Sequence, residues 1–209
     1  TAMTITGSAV NDSLAMENTA DVMDGSGGTS DTLVISYTGI IGGVVVDLSA
    51  DDQVTDMDGS GNTAIQKNFE NVDVSSYANF GAIITGTAKA NTITGSSQND
   101  NITGGNGADV IDGKGGTDII SFTETVAAVD TLTVTVASAT TVTGFTLDSD
   151  ILDGDASAAS GNGTPANTIK QAAALTDGDD KTAIGTNAIV VMAVDDTSVA
   201  ALDAALDAA

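Results

Sequence analysis

Between Gly86 and Ser121 an isoleucine recurs every nine residues, at Ile93, Ile102, Ile111 and Ile120, and each follows a polar, glycine-bearing stretch. Written as units, the segment reads GTAKANTIT, GSSQNDNIT, GGNGADVID and GKGGTDIIS, with no gap. Glycine opens each unit (Gly86, Gly95, Gly104, Gly113), and Asn or Asp holds the sixth place (Asn91, Asp100, Asp109, Asp118). Three columns that agree in every unit mark an internal repeat. The glycine-rich half supplies positive-φ positions and close backbone approach, hence a tight turn. The short half, such as Asp109-Val110-Ile111-Asp112, is a brief strand with one apolar side chain turned inward. One unit cannot bury its isoleucine alone. Stacked units can, by winding into a coil whose strands pair in parallel with the turns before and after.

A looser block lies near the start. Residues 7–14 read GSAVNDSL, Asp21 follows Asp12 by nine residues, and residues 25–33, GSGGTSDTL, fit with one extra residue before Asp31. The apolar column there is Leu14, Met23 and Leu33. Between the blocks, residues 33–37 and 44–48 read as strands joined by glycine turns, and the polar residues 51–64 as an insertion. After the second block, residues 132–136 alternate cleanly and 141–147 continue in that style, whereas 153–167, with the only proline, read as a loop. Residues 188–194 are a candidate buried strand. Val199, Leu202 and Leu206 share one helical face, with Thr197 or Ser198 as cap, so the spacing predicts a short C-terminal helix over the open end. The expected fold class is therefore all-β. A parallel solenoid spans residues 1–153, and a β-rich capping or assembly region spans 154–209.

Composition supports a narrow, layered core. Apolar residues make up 41% of the 209, yet aromatics are only 3% and Trp is absent, so Val, Ile, Leu and Ala must fill the interior. The charge sharpens the picture: 29 Asp and Glu stand against 5 Lys and Arg, a formal charge of −24. Such a surface repels phosphate backbones and anionic lipid, which argues against nucleic-acid and membrane partners. The carboxylates are either a solvated acidic surface or cation ligands, and their place in the repeat decides between the two. With no His and no Cys, the usual general base, the zinc ligands and the nucleophilic triads are all missing, so the expectation is no enzyme. The chain opens at Thr1 without a signal-like segment and reads as a processed product or fragment. Its longest apolar run is far too short to span a bilayer. The stretch DMDGSGN, residues 56–62, looks like the opening of an EF-hand loop, but Lys67 stands where the bidentate Glu belongs, so a plain acidic turn is the reading. DGDD at residues 177–180 reads likewise as a solvated turn.

The four units resemble the pattern G-G-x-G-x-D-x-U-x of the RTX (repeats-in-toxin) or haemolysin-type calcium-binding family, closely in the third and fourth units and more loosely in the first two. The spacer SYTGIIGGVVVDLSA, the stretch NFENVDVSSYAN and the following VTGFTLDSDILD are also similar to segments of that family. The resemblance implies a β-roll with Ca2+ held between turns two units apart. Carried onto this chain, Asn91 pairs with Asp109 and Asp100 with Asp118. Backbone oxygens would come from around Gly104, Gly105, Gly107, Gly113, Gly115 and Gly116. In the first block, Asp12 and Asp31 would face each other, and Asp21 is a further candidate metal residue. The first unit departs from the pattern, carrying Thr87, Lys89 and Asn91 where Gly, Gly and Asp are expected, so Asp100 with Asp118 is the better expected site and Asn91 with Asp109 the weaker.

Calcium wants six to eight hard oxygens, and modules of this type bind it at roughly 10⁻⁴ to 10⁻³ M. The resemblance therefore implies a chain that stays unfolded in the cell, leaves through a type I (ABC-type) exporter, and folds outside. Two roles follow. One is a structural subunit of a bacterial surface layer or extracellular filament, self-associating into a polymer or lattice. The other is the calcium-binding, secretion-directing tail of a larger adhesin or exoenzyme.

Overall fold

The computed structural model describes residues 2–36, 42–56, 61–62, 64–134, 140–145, 150–154 and 170–171. The candidate strand at 188–194, the C-terminal helix and the DGDD turn lie outside these residues. Among the described residues every regular element is a strand, so the all-β expectation holds there. The strands are short, two to four residues each, with one or two inward side chains before the chain turns.

The regular part is a two-sided parallel coil. From β8 (Asn71–Asp73) onward the chain alternates between two sheets. β10 (Thr92–Thr94), β12 (Val110–Asp112), β14 (Thr131–Val134) and β16 (Ile151–Gly154) extend one sheet. β9 (Ala82–Thr85), β11 (Asn101–Thr103), β13 (Ile119–Ser121), β15 (Thr141–Thr143) and β17 (Lys170–Gln171) extend the other. Two units make one turn: Ile93 lies beside Ile111 and Ile102 beside Ile120, in parallel register. In β10 to β13 only the central residue is buried, as a period-two strand over a core demands. The core is thus two facing stacks, Leu33, Val72, Ile93, Ile111 and Leu132 on one side and Val46, Ile84, Ile102, Ile120 and Val142 on the other.

The first block joins the same coil. β2 (Ser13–Met16) pairs in parallel with β4 (Thr32–Ile35), and β4 with β8, so one seven-stranded sheet runs through both blocks. The opposite face is divided. β1 (Thr4–Thr6), β3 (Val22–Asp24) and β7 (Gln66–Lys67) form a three-stranded sheet, while β5 (Val44–Asp47) begins the seven-stranded one. The seam between them holds β6 (Val54–Asp56), which pairs antiparallel with β5. Part of the expected insertion at 51–64 is therefore a strand, and this was not legible from its polar composition. Two buried glutamines stitch the seam. Gln53 Nε2 donates to the carbonyls of Leu48 and Phe69 at 2.7 and 2.8 Å, and Gln66 Nε2 donates to the carbonyl of Asp21. Buried amides are tolerated only when so satisfied. Asp56, the start of the EF-hand-like stretch, lies in β6 and accepts the Gly61 amide at 3.3 Å, while Lys67 forms an ion pair with Asp24 at 3.3 Å.

Candidate metal centre

Strands β10 to β14 and β16 are each entered through an acidic or amide residue, and most of these side chains are buried at the turns. Asn91, Asp100, Asp109 and Asp118 are all buried, as are Asp21, Asp31 and Asp130. A carboxylate is buried only when something satisfies it. Here the backbone of the preceding coil does so first. The amide of Asn91 donates to Asp109 Oδ1 at 2.9 Å, and that of Asp100 to Asp118 Oδ1 at 3.0 Å, each reaching across eighteen residues. The return bonds, Val110 amide to Asn91 carbonyl and Ile119 amide to Asp100 carbonyl, are both 2.8 Å. The side chain thus adds a rung to the parallel ladder just where the strand begins.

The structure brings together the members of both expected pairs in the second block. It does the same for Asp12 and Asp31, through the Asp12 amide to Asp31 Oδ1 at 2.7 Å. Asp21 sits on the other side of the coil and accepts the Met3 amide at 2.8 Å. Three further residues serve as rungs and were not picked out in sequence: Asp130 accepts the Asp109 amide at 2.9 Å, Asp150 the Asp130 amide at 3.1 Å, and Glu70 the Asp31 amide at 3.0 Å. The signal was present. Asp130-Thr131-Leu132-Thr133 and Asp150-Ile151-Leu152-Asp153 repeat the D-x-U-x half of the unit, with only the glycine half missing.

The glycines close the turns over these side chains. Gly105, Gly107 and Gly116 have φ of 105°, 106° and 113°, and Lys114 has φ of 61°. A Cβ at Gly107 would meet the Lys89 backbone carbon at 2.6 Å, and one at Gly116 the Gln98 backbone carbon at 2.5 Å, so each turn lies directly on the turn eighteen residues earlier. Gly115 is less crowded, with its nearest neighbour, the Ser97 carbonyl oxygen, 3.5 Å away from such a Cβ. The opening glycines face oxygens. A Cβ at Gly113 would lie 2.5 Å from Asp118 Oδ2, and one at Gly95 would lie 2.6 Å from Asp100 Oδ2 and 2.8 Å from the Gly113 carbonyl oxygen. Gly104 approaches Asp109 Oδ2 in the same way, and its carbonyl oxygen abuts Gly86. Side-chain and carbonyl oxygens of successive turns therefore gather at the places that only glycine leaves open.

Two of these oxygens lack a partner. Among the described residues, none donates a hydrogen bond to Asp109 Oδ2 or Asp118 Oδ2, although the two aspartates are 1% and 0% exposed. Burial pushes both carboxyls up to about 7, against the amide donors from Asn91 and Asp100. The charges of Asp130 and Glu124 add to the rise at Asp109, and those of Asp100 and Asp112 at Asp118. Burial raises Asp130 to about 6, and raises Asp100 against donors from Ala82 and Ser96. A buried anion with a lone pair that accepts no hydrogen bond is costly, and a cation relieves that cost directly.

The donor set fits calcium. Among the described residues no three His, Cys, Asp or Glu side chains converge, so a cation here would draw on few carboxylates and several backbone carbonyls. That is an all-oxygen environment of the kind a hard cation prefers.

Residues 85–120 match the family model of the RTX calcium-binding nonapeptide repeat, in four copies. No curated protein matches the chain. RTX nonapeptide repeats bind calcium, and the parallel β-solenoid described above is consistent with their β-roll.

Proposed function

We propose that this chain, with RTX repeats over residues 85–120, is an extracellular structural protein, a subunit of a bacterial surface layer or filament that folds and assembles when calcium binds. The observation that carries the reading is the pair of buried, unpartnered carboxylate oxygens of Asp109 and Asp118 in a chain of formal charge −24. Calcium supplies charge neutralisation and oxygen coordination in the turns. The chain's own residues do the rest: the sixth-place carboxylates tie each coil to the one before, the glycines let carbonyl oxygens approach, and the isoleucine stacks exclude water. Because the apo turns hold buried charge, binding and folding share one free energy.

Its low affinity range, roughly 10⁻⁴ to 10⁻³ M, keeps such a module unfolded at cytosolic calcium and folded outside. That fits export through an ABC-type channel and a life at the cell surface. No catalytic step is assigned to the chain.

The test is a far-UV circular dichroism titration from a chelated start, with magnesium as control, followed by sizing of the loaded protein. A cooperative gain of β signal near millimolar calcium, with ordered polymers on sizing, is the expected result. A chain already folded and indifferent to calcium would sink the calcium reading. A calcium-dependent but strictly monomeric chain would instead favour the secretion-directing tail of a larger adhesin or exoenzyme.

A further inference from the structure

Three turns of the coil satisfy their sixth-place side chain from within. In each, the residue after the opening glycine is Ser or Thr, and it donates twice to the side chain four residues on. The Ser8 amide and hydroxyl reach Asp12 Oδ2 at 2.6 and 3.0 Å. The Thr87 amide and hydroxyl reach Asn91 Oδ1 at 2.6 and 3.1 Å. The Ser96 amide reaches Asp100 Oδ2 at 2.7 Å, its hydroxyl reaches Asp100 Oδ1 at 2.8 Å, and the Ala82 amide adds a third donor to Oδ1 at 2.6 Å. The sequence signature is G-[ST]-x-x-x-[DN], shared by GSAVND, GTAKAN and GSSQND.

The third and fourth units lack the hydroxyl. Gly105 has none, and its φ of 105° belongs to a turned peptide. Lys114 has none either, and its amide donates to Asp112 Oδ1 at 2.8 Å instead of to Asp118. These are the two units whose Oδ2 is buried without a partner.

We propose that the hydroxyl after the opening glycine replaces the cation in this chain, so that the Ser8, Thr87 and Ser96 turns are metal-independent caps and calcium is held by Asp109 and Asp118. The proposal rests on the calcium reading above and refines it. A carboxylate with three donors, such as Asp100, has little left to offer a cation, and the amide at Asn91 needs none. Asp100 is then a structural rung and not a ligand, contrary to what the pairing of Asp100 with Asp118 implied.

The experiment counts calcium ions per chain by isothermal titration calorimetry and native mass spectrometry, on the full 209-residue chain and its variants. Asp109→Asn and Asp118→Asn are each expected to lose one ion or to weaken one site at least tenfold. Asp100→Asn is expected to keep the wild-type count, since an amide already stands in the capped turn at Asn91. Ser96→Gly, which removes the hydroxyl and keeps the carboxylate, is expected to gain an ion. Loss of an ion in Asp100→Asn, or an unchanged count in Ser96→Gly, overturns the proposal. A wild-type chain that binds no calcium at all would instead overturn the functional reading on which it rests.

Discussion

The coil of residues 86–103 and the coil of residues 104–121 lie one on the other, and the contrast between them separates two jobs of the nine-residue unit. Their strand halves are alike. Ile93 and Ile102 below, Ile111 and Ile120 above, are buried in the same two stacks and paired in the same parallel register. Their turn halves are opposite. The lower coil closes its turns with Thr87 and Ser96, leaving the side chains of Asn91 and Asp100 satisfied. The upper coil closes with glycines at positive φ and Lys114, leaving Asp109 Oδ2 and Asp118 Oδ2 bare. The hydrophobic half admits one solution, because the stack must stay in register to exclude water. The polar half admits two, because a buried oxygen can be satisfied by a donor or by a cation.

If that division is right, the largest effect should be the same in both coils. Ile93→Ala and Ile111→Ala each remove a fully buried side chain from one stack, and each should cost about 3 kcal/mol in calcium-saturated denaturant melts. A loss confined to Ile111→Ala would mean that the lower coil contributes little, and the comparison would fail.

A smaller effect should separate the coils at the fourth place of the unit. Gly116→Ala puts a Cβ 2.5 Å from the Gln98 backbone carbon at φ 113°, and should cost about 2 kcal/mol or more. Gln98→Ala, at the equivalent place below, loses one exposed hydrogen bond to the Ala78 carbonyl and should stay within about 0.5 kcal/mol. Equal losses in thermal melts would show that the upper turn is no tighter than the lower.

A last contrast is that of pH. The carboxyls of Asp109 and Asp118 are raised to about 7 and that of Asp130 to about 6, above the ordinary value of 3.8. A raised carboxyl favours the folded state when protonated, so its contribution is complete below the ordinary value and lost as pH rises through 6 to 7. In chelator, lowering the pH from about 8 to about 5 should therefore raise the melting temperature. In saturating calcium the trend should reverse, since protons then compete with the cation. Parallel trends in the two conditions would mean that the bare oxygens are not where calcium acts.

The repeat, its period, the inward isoleucines and the sixth-place carboxylates were all legible in the sequence, since each follows from local chemistry: glycine for the turn, one apolar residue per brief strand, an acid at the strand entrance. So were the pairs Asn91 with Asp109 and Asp100 with Asp118, through the family resemblance. How the two blocks join was not. It depends on β4 meeting β8 across an intervening segment of chain, and on Gln53 and Gln66 finding carbonyls at the seam. Nor did Asp130, Asp150 and Glu70 stand out, because a rung needs only the strand half of the motif and no glycine to announce it. Above all, that the residue after the opening glycine separates satisfied from bare side chains became visible only in three dimensions. An aspartate reads the same in every unit, but whether a hydroxyl, an amide or nothing meets its second oxygen depends on how the peptide after the opening glycine is turned.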